Sequence, residues 1–110
     1  MAVVNDFCAA FGRKDVAKAV SLLGDNCTYR IVQNRPPLVG KEKVSEQIKG
    51  LIERGAEFKI YKTVTLGPLV LNDRDDVLKR PNGETITIRL TGFFFVEDGK
   101  ISEWTDYVIR

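Results

Sequence analysis

The chain contains no histidine. That absence excludes Ser-His-Asp and Cys-His nucleophile machinery and any imidazole metal ligand. Cysteine is scarce. Cys8 and Cys27 lack the close spacing of a zinc site and are expected to be buried thiols rather than a disulfide. Gly24, Gly40, Gly50 and Gly55 are too scattered to form a phosphate-cradling loop. No apolar run approaches the ~20 residues that span a bilayer. The opening residues, Met1-Ala2-Val3-Val4-Asn5-Asp6, lack the charged-then-apolar layout of a secretion signal. A soluble, cytoplasmic protein is expected. Charge of one sign is also lacking: 17 Lys plus Arg stand against 15 Asp plus Glu, a net +2 spread along the chain. Nucleic-acid binding, which needs a clustered basic face, is therefore not expected. Acid–base chemistry is left to carboxylates, Lys, Tyr or Cys.

What is present reads as one domain over residues 1–110, long enough to bury a real core. The first half is helical in pattern. Val4, Phe7, Cys8 and Phe11 form a stripe at i, i+3, i+4 and i+7, interrupted at Gly12. Asp15 can cap a second helix with the stripe Val16, Ala19, Val20 and Leu23, ending at Gly24. A short strand is expected from Cys27 to Val32, broken by Pro36-Pro37. A third helix fits Glu42 to Arg54, with Val44, Ile48, Leu51 and Ile52 on one side and Gly55 closing it.

The second half reads as sheet. Strands are expected over Phe58 to Leu66, Leu69 to Leu78, Thr85 to Val96 and Ile101 to Ile109. Gly67-Pro68, Pro81-Asn82-Gly83 and Asp98-Gly99 mark the turns. Helices followed by antiparallel strands give an α+β domain, with three helices against a curved sheet enclosing an apolar pocket. Gly92, in the middle of the longest strand, can mark a bend.

Alternation along strands places Arg74 and Asp76 on one face, and Trp104, Asp106 and Val108 on one face. Two arrangements remain open. The charges are solvated on the outer face, or they point among apolar residues and must pair to avoid a large desolvation cost. In the second case one guanidinium can bridge two carboxylates. Asp73 and Asp75 fall on the opposite face and are expected to be solvated. Of the run Phe93-Phe94-Phe95, one set is expected to face the helices. The other set, Phe93 and Phe95, joins Tyr107 and Ile109 in an apolar patch that points to a homodimer.

The segment Gly92-Phe93-Phe94-Phe95-Val96-Glu97-Asp98-Gly99-Lys100-Ile101-Ser102-Glu103-Trp104-Thr105-Asp106-Tyr107, together with Arg74-x-Asp76-Val77-Leu78 and Tyr29 ahead of a proline-containing loop, resembles the limonene-1,2-epoxide hydrolase family. That family lies within the nuclear-transport-factor-2-like (SnoaL-like) superfamily of cone-shaped α+β barrels. The resemblance covers most of the chain. It implies that Asp106 is the general base on water, Asp76 the general acid, Arg74 the bridge between them, and Tyr29 a holder of the water. It implies no cofactor and no metal. The family also uses an asparagine two residues after the tyrosine, where this chain has Ile31; Gln33 is the candidate replacement. The first helix starts close to Met1, without the N-terminal extension of the best-known members, so a pocket short of a wall or lid is expected.

The pocket is expected to be lined by Phe7, Phe11, Val20, Ile31, Ile48, Ile52, Leu78, Ile88, Leu90, Trp104 and Val108, which suits a small apolar substrate. The leading expectation is one-step addition of water to an epoxide. The alternatives are a ketosteroid-isomerase-like or polyketide-cyclase-like proton transfer, and a non-catalytic ligand-binding dimer in which the trio is a buried ion network.

Overall fold

The computed structural model describes residues 2–109; Met1 and Arg110 of the expected domain lie outside them. Helix α1 spans Ala2–Gly12 and buries the expected stripe of Val4, Phe7, Cys8 and Phe11. Lys14 takes a left-handed φ of 56°, which turns the chain into the next helix. Asp15 caps α2 (Val16–Ser21), its side chain accepting from the Lys18 N–H at 3.0 Å.

The second helix is shorter than its apolar spacing predicts. Leu23 and Gly24 already belong to strand β1 (Leu23–Arg30). Tertiary pairing explains the difference. Leu23 registers against Ile101, and the Ile101 N–H donates to the Leu22 carbonyl at 2.8 Å. A distant strand thus claims backbone that local periodicity assigns to a helix. The strand also ends at Arg30, so Ile31 and Val32 leave the ladder earlier than expected.

A two-residue strand β2 (Leu38–Val39) follows the proline pair and pairs with β1. Helix α3 spans Lys41–Glu53, after Gly40 at φ 95°. Strands β3 (Glu57–Leu66), β4 (Leu69–Lys79), β5 (Thr85–Glu97) and β6 (Lys100–Val108) complete the chain. The sheet order is β2-β1-β6-β5-β4-β3, antiparallel throughout except for the β1–β6 pair. The β5–β6 turn places both Asp98 (φ 52°) and Gly99 (φ 73°) in left-handed backbone, the geometry of a tight two-residue hairpin. The architecture is the cone-shaped α+β fold expected from the sequence.

The core lies between the helices and the inner face of the sheet. Phe7 makes edge-to-face contacts with Phe11, Phe94 and Trp104, with ring centroids 5.2–6.2 Å apart. Cys8 and Cys27 are buried and unbonded, as expected. On the outer face Phe95, Tyr107 and Ile109 are exposed, and Phe93 packs edge-on against Tyr107 at 4.8 Å. Asp73 and Asp75 lie on that face but are not simply solvated. Asp73 accepts a fork from Arg89 at 3.0 and 2.7 Å, and Asp75 accepts from the Tyr61 hydroxyl at 2.6 Å.

Candidate active site

Arg74 and Asp76 stand two residues apart on β4 and so share its inner face; Asp106 stands on the inner face of β6. Strand β5 lies between them, so the two carboxylates belong to strands separated by about 10 Å. An arginine is long enough to cross that gap if the middle strand carries no side chain in its path. Gly92 sits at the crossing, in register with Asn72 on one side and Asp106 on the other. The sequence marked Gly92 as a bend; its structural role is clearance for Arg74.

The guanidinium is fully buried and almost completely saturated. Arg74 Nε donates to Asp76 Oδ1 at 2.7 Å, Nη2 to Asp106 Oδ1 at 2.9 Å and more distantly to Asp76 Oδ2 at 3.4 Å, and Nη1 to Asn72 Oδ1 at 2.6 Å. Its plane is flanked by Phe58, with the central carbon 4.5 Å from the ring centroid. Asp106 collects two further donors, Trp104 Nε1 at 2.7 Å and the Tyr29 hydroxyl at 3.3 Å. Tyr29 stacks on Trp104 with centroids 3.8 Å apart, which fixes the direction of its hydroxyl. Asn72 is held in turn by a contact of its Nδ2 with Cys8 Sγ at 3.5 Å.

Burial sets the electrostatics. Desolvation pushes the Asp106 carboxyl up to about 6, against the pull of Arg74, with Asp76 adding to the rise. Desolvation likewise raises Asp76, again opposed by Arg74. Burial disfavours the charge on Arg74, but Asp106 and Asp76 outweigh it and hold the guanidinium above its ordinary value. Tyr29 is raised well above the ordinary phenol value by burial and then by Asp106, so it stays a donor. Two acids that share one cation titrate as a pair.

The two carboxylates open onto a cavity of about 270 Å³, with Arg74 buried behind them; the cavity lining includes Tyr29, Ile31, Asp76, Leu78, Ile88, Leu90, Asp106 and Val108. Five of the expected apolar lining residues are thus in place: Ile31, Leu78, Ile88, Leu90 and Val108. Phe7, Phe11, Ile48, Ile52 and Trp104 are not; they are buried beneath the cavity as close-packed core. Val20 is half-buried on α2 and does not line it either. The reason is that the α1 stripe packs directly onto Phe94 and Trp104, leaving no gap there. The cavity instead opens between α3 and β3, where Gln47, Leu51 and Phe58 supply walls that were not among the expected lining residues.

Gln33 does not take the place of the missing asparagine. Its amide pairs with the backbone of Val108, accepting from the N–H at 3.1 Å and donating to the carbonyl at 3.5 Å. It acts as a stand-in for strand backbone at the edge of β6. Asn72 was legible from alternation alone, being two residues before Arg74 on the same face. The Trp104 hydrogen bond was legible in the same way, two residues before Asp106. Phe58 was not, because its position over Arg74 depends on the β3–β4 register. Among the described residues, no three His, Cys, Asp or Glu side chains are grouped as metal ligands would be.

Three solved structures share this fold. The chain superposes on a limonene-epoxide-hydrolase-like epoxide hydrolase of M. tuberculosis with 27% identity and a TM-score of 0.87, covering 97% of this chain and 80% of that one. It superposes on SalBIII, an epoxide hydrolase/cyclase-like enzyme of pyran ring formation in the polyether salinomycin, with 15% identity and a TM-score of 0.91, covering 97% and 88%. A protein of unknown function from Cytophaga hutchinsonii shares the fold with 20% identity and a TM-score of 0.81, covering 97% and 87%. Shape alone therefore accompanies several chemistries. The family assignment rests on the sequence, which matches the limonene-1,2-epoxide hydrolase catalytic domain over residues 1–109, and the chain belongs to that family.

Proposed function

We propose that the protein adds water to a small apolar epoxide in one step, without a covalent intermediate. The observation that carries this reading is the pair of buried carboxylates held by one guanidinium on the wall of an apolar cavity. Asp106, ionised, takes a proton from water as the water oxygen forms a bond to a ring carbon. The ring C–O bond breaks, and the leaving oxygen takes a proton from Asp76. The products are a diol, a protonated Asp106 and an ionised Asp76, and proton exchange resets the pair. Arg74 keeps the total charge tolerable at each stage. Tyr29 donates to Asp106 Oδ2 and so helps aim the carboxylate. Each positioned acid or base is worth ~10²–10⁴-fold.

The experiment is turnover against a panel of small epoxides and a panel of β,γ-unsaturated ketones, followed by a single turnover in heavy-oxygen water. Diol carrying the heavy oxygen, with none in the protein, is the expected result. Isomerised ketone without diol overturns the hydrolase reading in favour of proton transfer next to a carbonyl. Ile31, which leaves the water without an amide at that position, is the observation favouring that second reading.

Gln47 of α3 lines the same cavity. It is the candidate second holder of the water. Gln47→Leu is expected to lower kcat/KM for the epoxide by roughly five- to tenfold, the worth of one hydrogen bond. An unchanged kcat/KM removes Gln47 from the mechanism.

A further inference from the structure

A second groove, of about 200 Å³, adjoins the cavity. Leu51 and Leu78 line both, so the two are neighbours that share a wall. The character changes across that seam. Beyond it the groove is bounded by Arg54 at the end of α3 and by Lys79 and Arg80 at the end of β4, with Ile86 from β5 between apolar and charged parts. None of the three cations takes part in a salt bridge among the described residues. No acidic side chain lines the groove. At the other end of β5, Asp25, Glu97, Asp98 and Glu103, together with Lys100, line a separate surface depression. With a net charge of only +2, three cations on one groove are a local cluster and not a general excess.

We propose that this groove is the anion subsite of the active site, and that the preferred substrate is an apolar epoxide carrying a carboxylate. The inference rests on the epoxide-opening reading and adds a substrate class to it. The ring would lie beside Asp106 and Asp76, and the hydrocarbon would pass Leu51 and Leu78. The carboxylate would then reach Lys79 and Arg80, three to four residues along β4 and so on the order of 10 Å away. Cations without partners at the mouth of an apolar slot also draw anions in from solution and orient them. Arg54 Nε is already engaged with the Gly50 carbonyl at 3.2 Å, which steadies the side chain at the groove.

The test has two arms. In the first, kcat/KM is measured for a mid-chain epoxy fatty acid and for its methyl ester, in the parent protein and in Lys79→Gln/Arg80→Gln. The acid is expected to be favoured by about tenfold in the parent, with the preference collapsing toward parity in the double variant and at high salt. In the second, calorimetry compares binding of decanoate and decanol, which requires no turnover. Decanoate is expected to bind more tightly, and the double variant to lose the difference. If epoxides are opened but acid and ester are equal, and decanoate binds no better than decanol, the subsite is overturned while the hydrolase reading stands. If no epoxide is opened yet decanoate keeps its advantage through Lys79 and Arg80, the subsite stands and the hydrolase reading falls.

Discussion

Replacing Asp106 with asparagine is expected to lower the rate of epoxide opening by ~10²–10⁴-fold while leaving the fold intact. The amide fills the same space. It can still accept from Trp104 Nε1, and Arg74 keeps Asp76 and Asn72 as partners, so the buried guanidinium is not abandoned. What is lost is the one group able to take the proton from water. The pH profile gives an independent reading. Burial, opposed by Arg74, pushes Asp106 up to about 6, so the parent rate is expected to climb as pH rises through about 6 and the carboxylate forms. Stability should move the other way. The folded protein holds a proton on Asp106 between the ordinary value of 3.8 and about 6, where the unfolded chain has released it. The folded state is therefore favoured below that window, and that contribution is lost as pH rises through it. Asp106→Asn should remove the Asp106 part of both profiles and leave the part that comes from Asp76, whose carboxyl burial also raises. Rate against pH and melting temperature against pH check the two together. A variant that turns over like the parent would sink the assignment of the base.

Much of this site was legible because strand periodicity is simple. Once β4 is read as a strand, Arg74 and Asp76 must share a face, and a buried Arg must find acids. The elements bounded by their own chemistry were read well: the α1 stripe, the Asp15 cap, the hairpin at Asp98-Gly99. Where the reading failed, the deciding partner was remote in sequence. Leu23 left its helix for Ile101. Gln33 turned to the Val108 backbone and not to the cavity. The cavity wall failed for a different reason. Periodicity separates inward from outward, but it does not separate a residue packed solid, such as Phe7 or Ile48, from one facing a void, such as Leu78. A void exists where helices and sheet diverge, and that depends on packing angles that no local pattern encodes.

Gly92→Ala is expected to damage stability and activity together, out of proportion to a single methyl group. Gly92 does not have a left-handed φ, so its backbone would accept alanine without strain. The obstacle is the space its Cβ would occupy. That atom would overlap Arg74 Nη1, and would stand 2.8 Å from Asn72 Oδ1 and 3.0 Å from the Phe94 ring. An arginine tip at the surface would swing away at little cost. Here it is fully buried, tied to Asp76, Asp106 and Asn72, and covered by Phe58. Displacing it leaves two raised carboxyls in an apolar interior without their cation, a loss of about 3–5 kcal/mol for a broken buried pair. In a domain of this size that corresponds to a melting temperature lower by on the order of 10–20 °C. The cause can be isolated with a double-mutant cycle. In an Arg74→Met background the terminal nitrogens are gone, and Gly92→Ala should then cost far less than in the parent. Equal costs in both backgrounds would mean that the methyl group collides with the sheet itself. A Gly92→Ala protein that melts and turns over like the parent would mean that Arg74 does not cross β5 at this position, and the bridge between the two acids would have to be drawn differently.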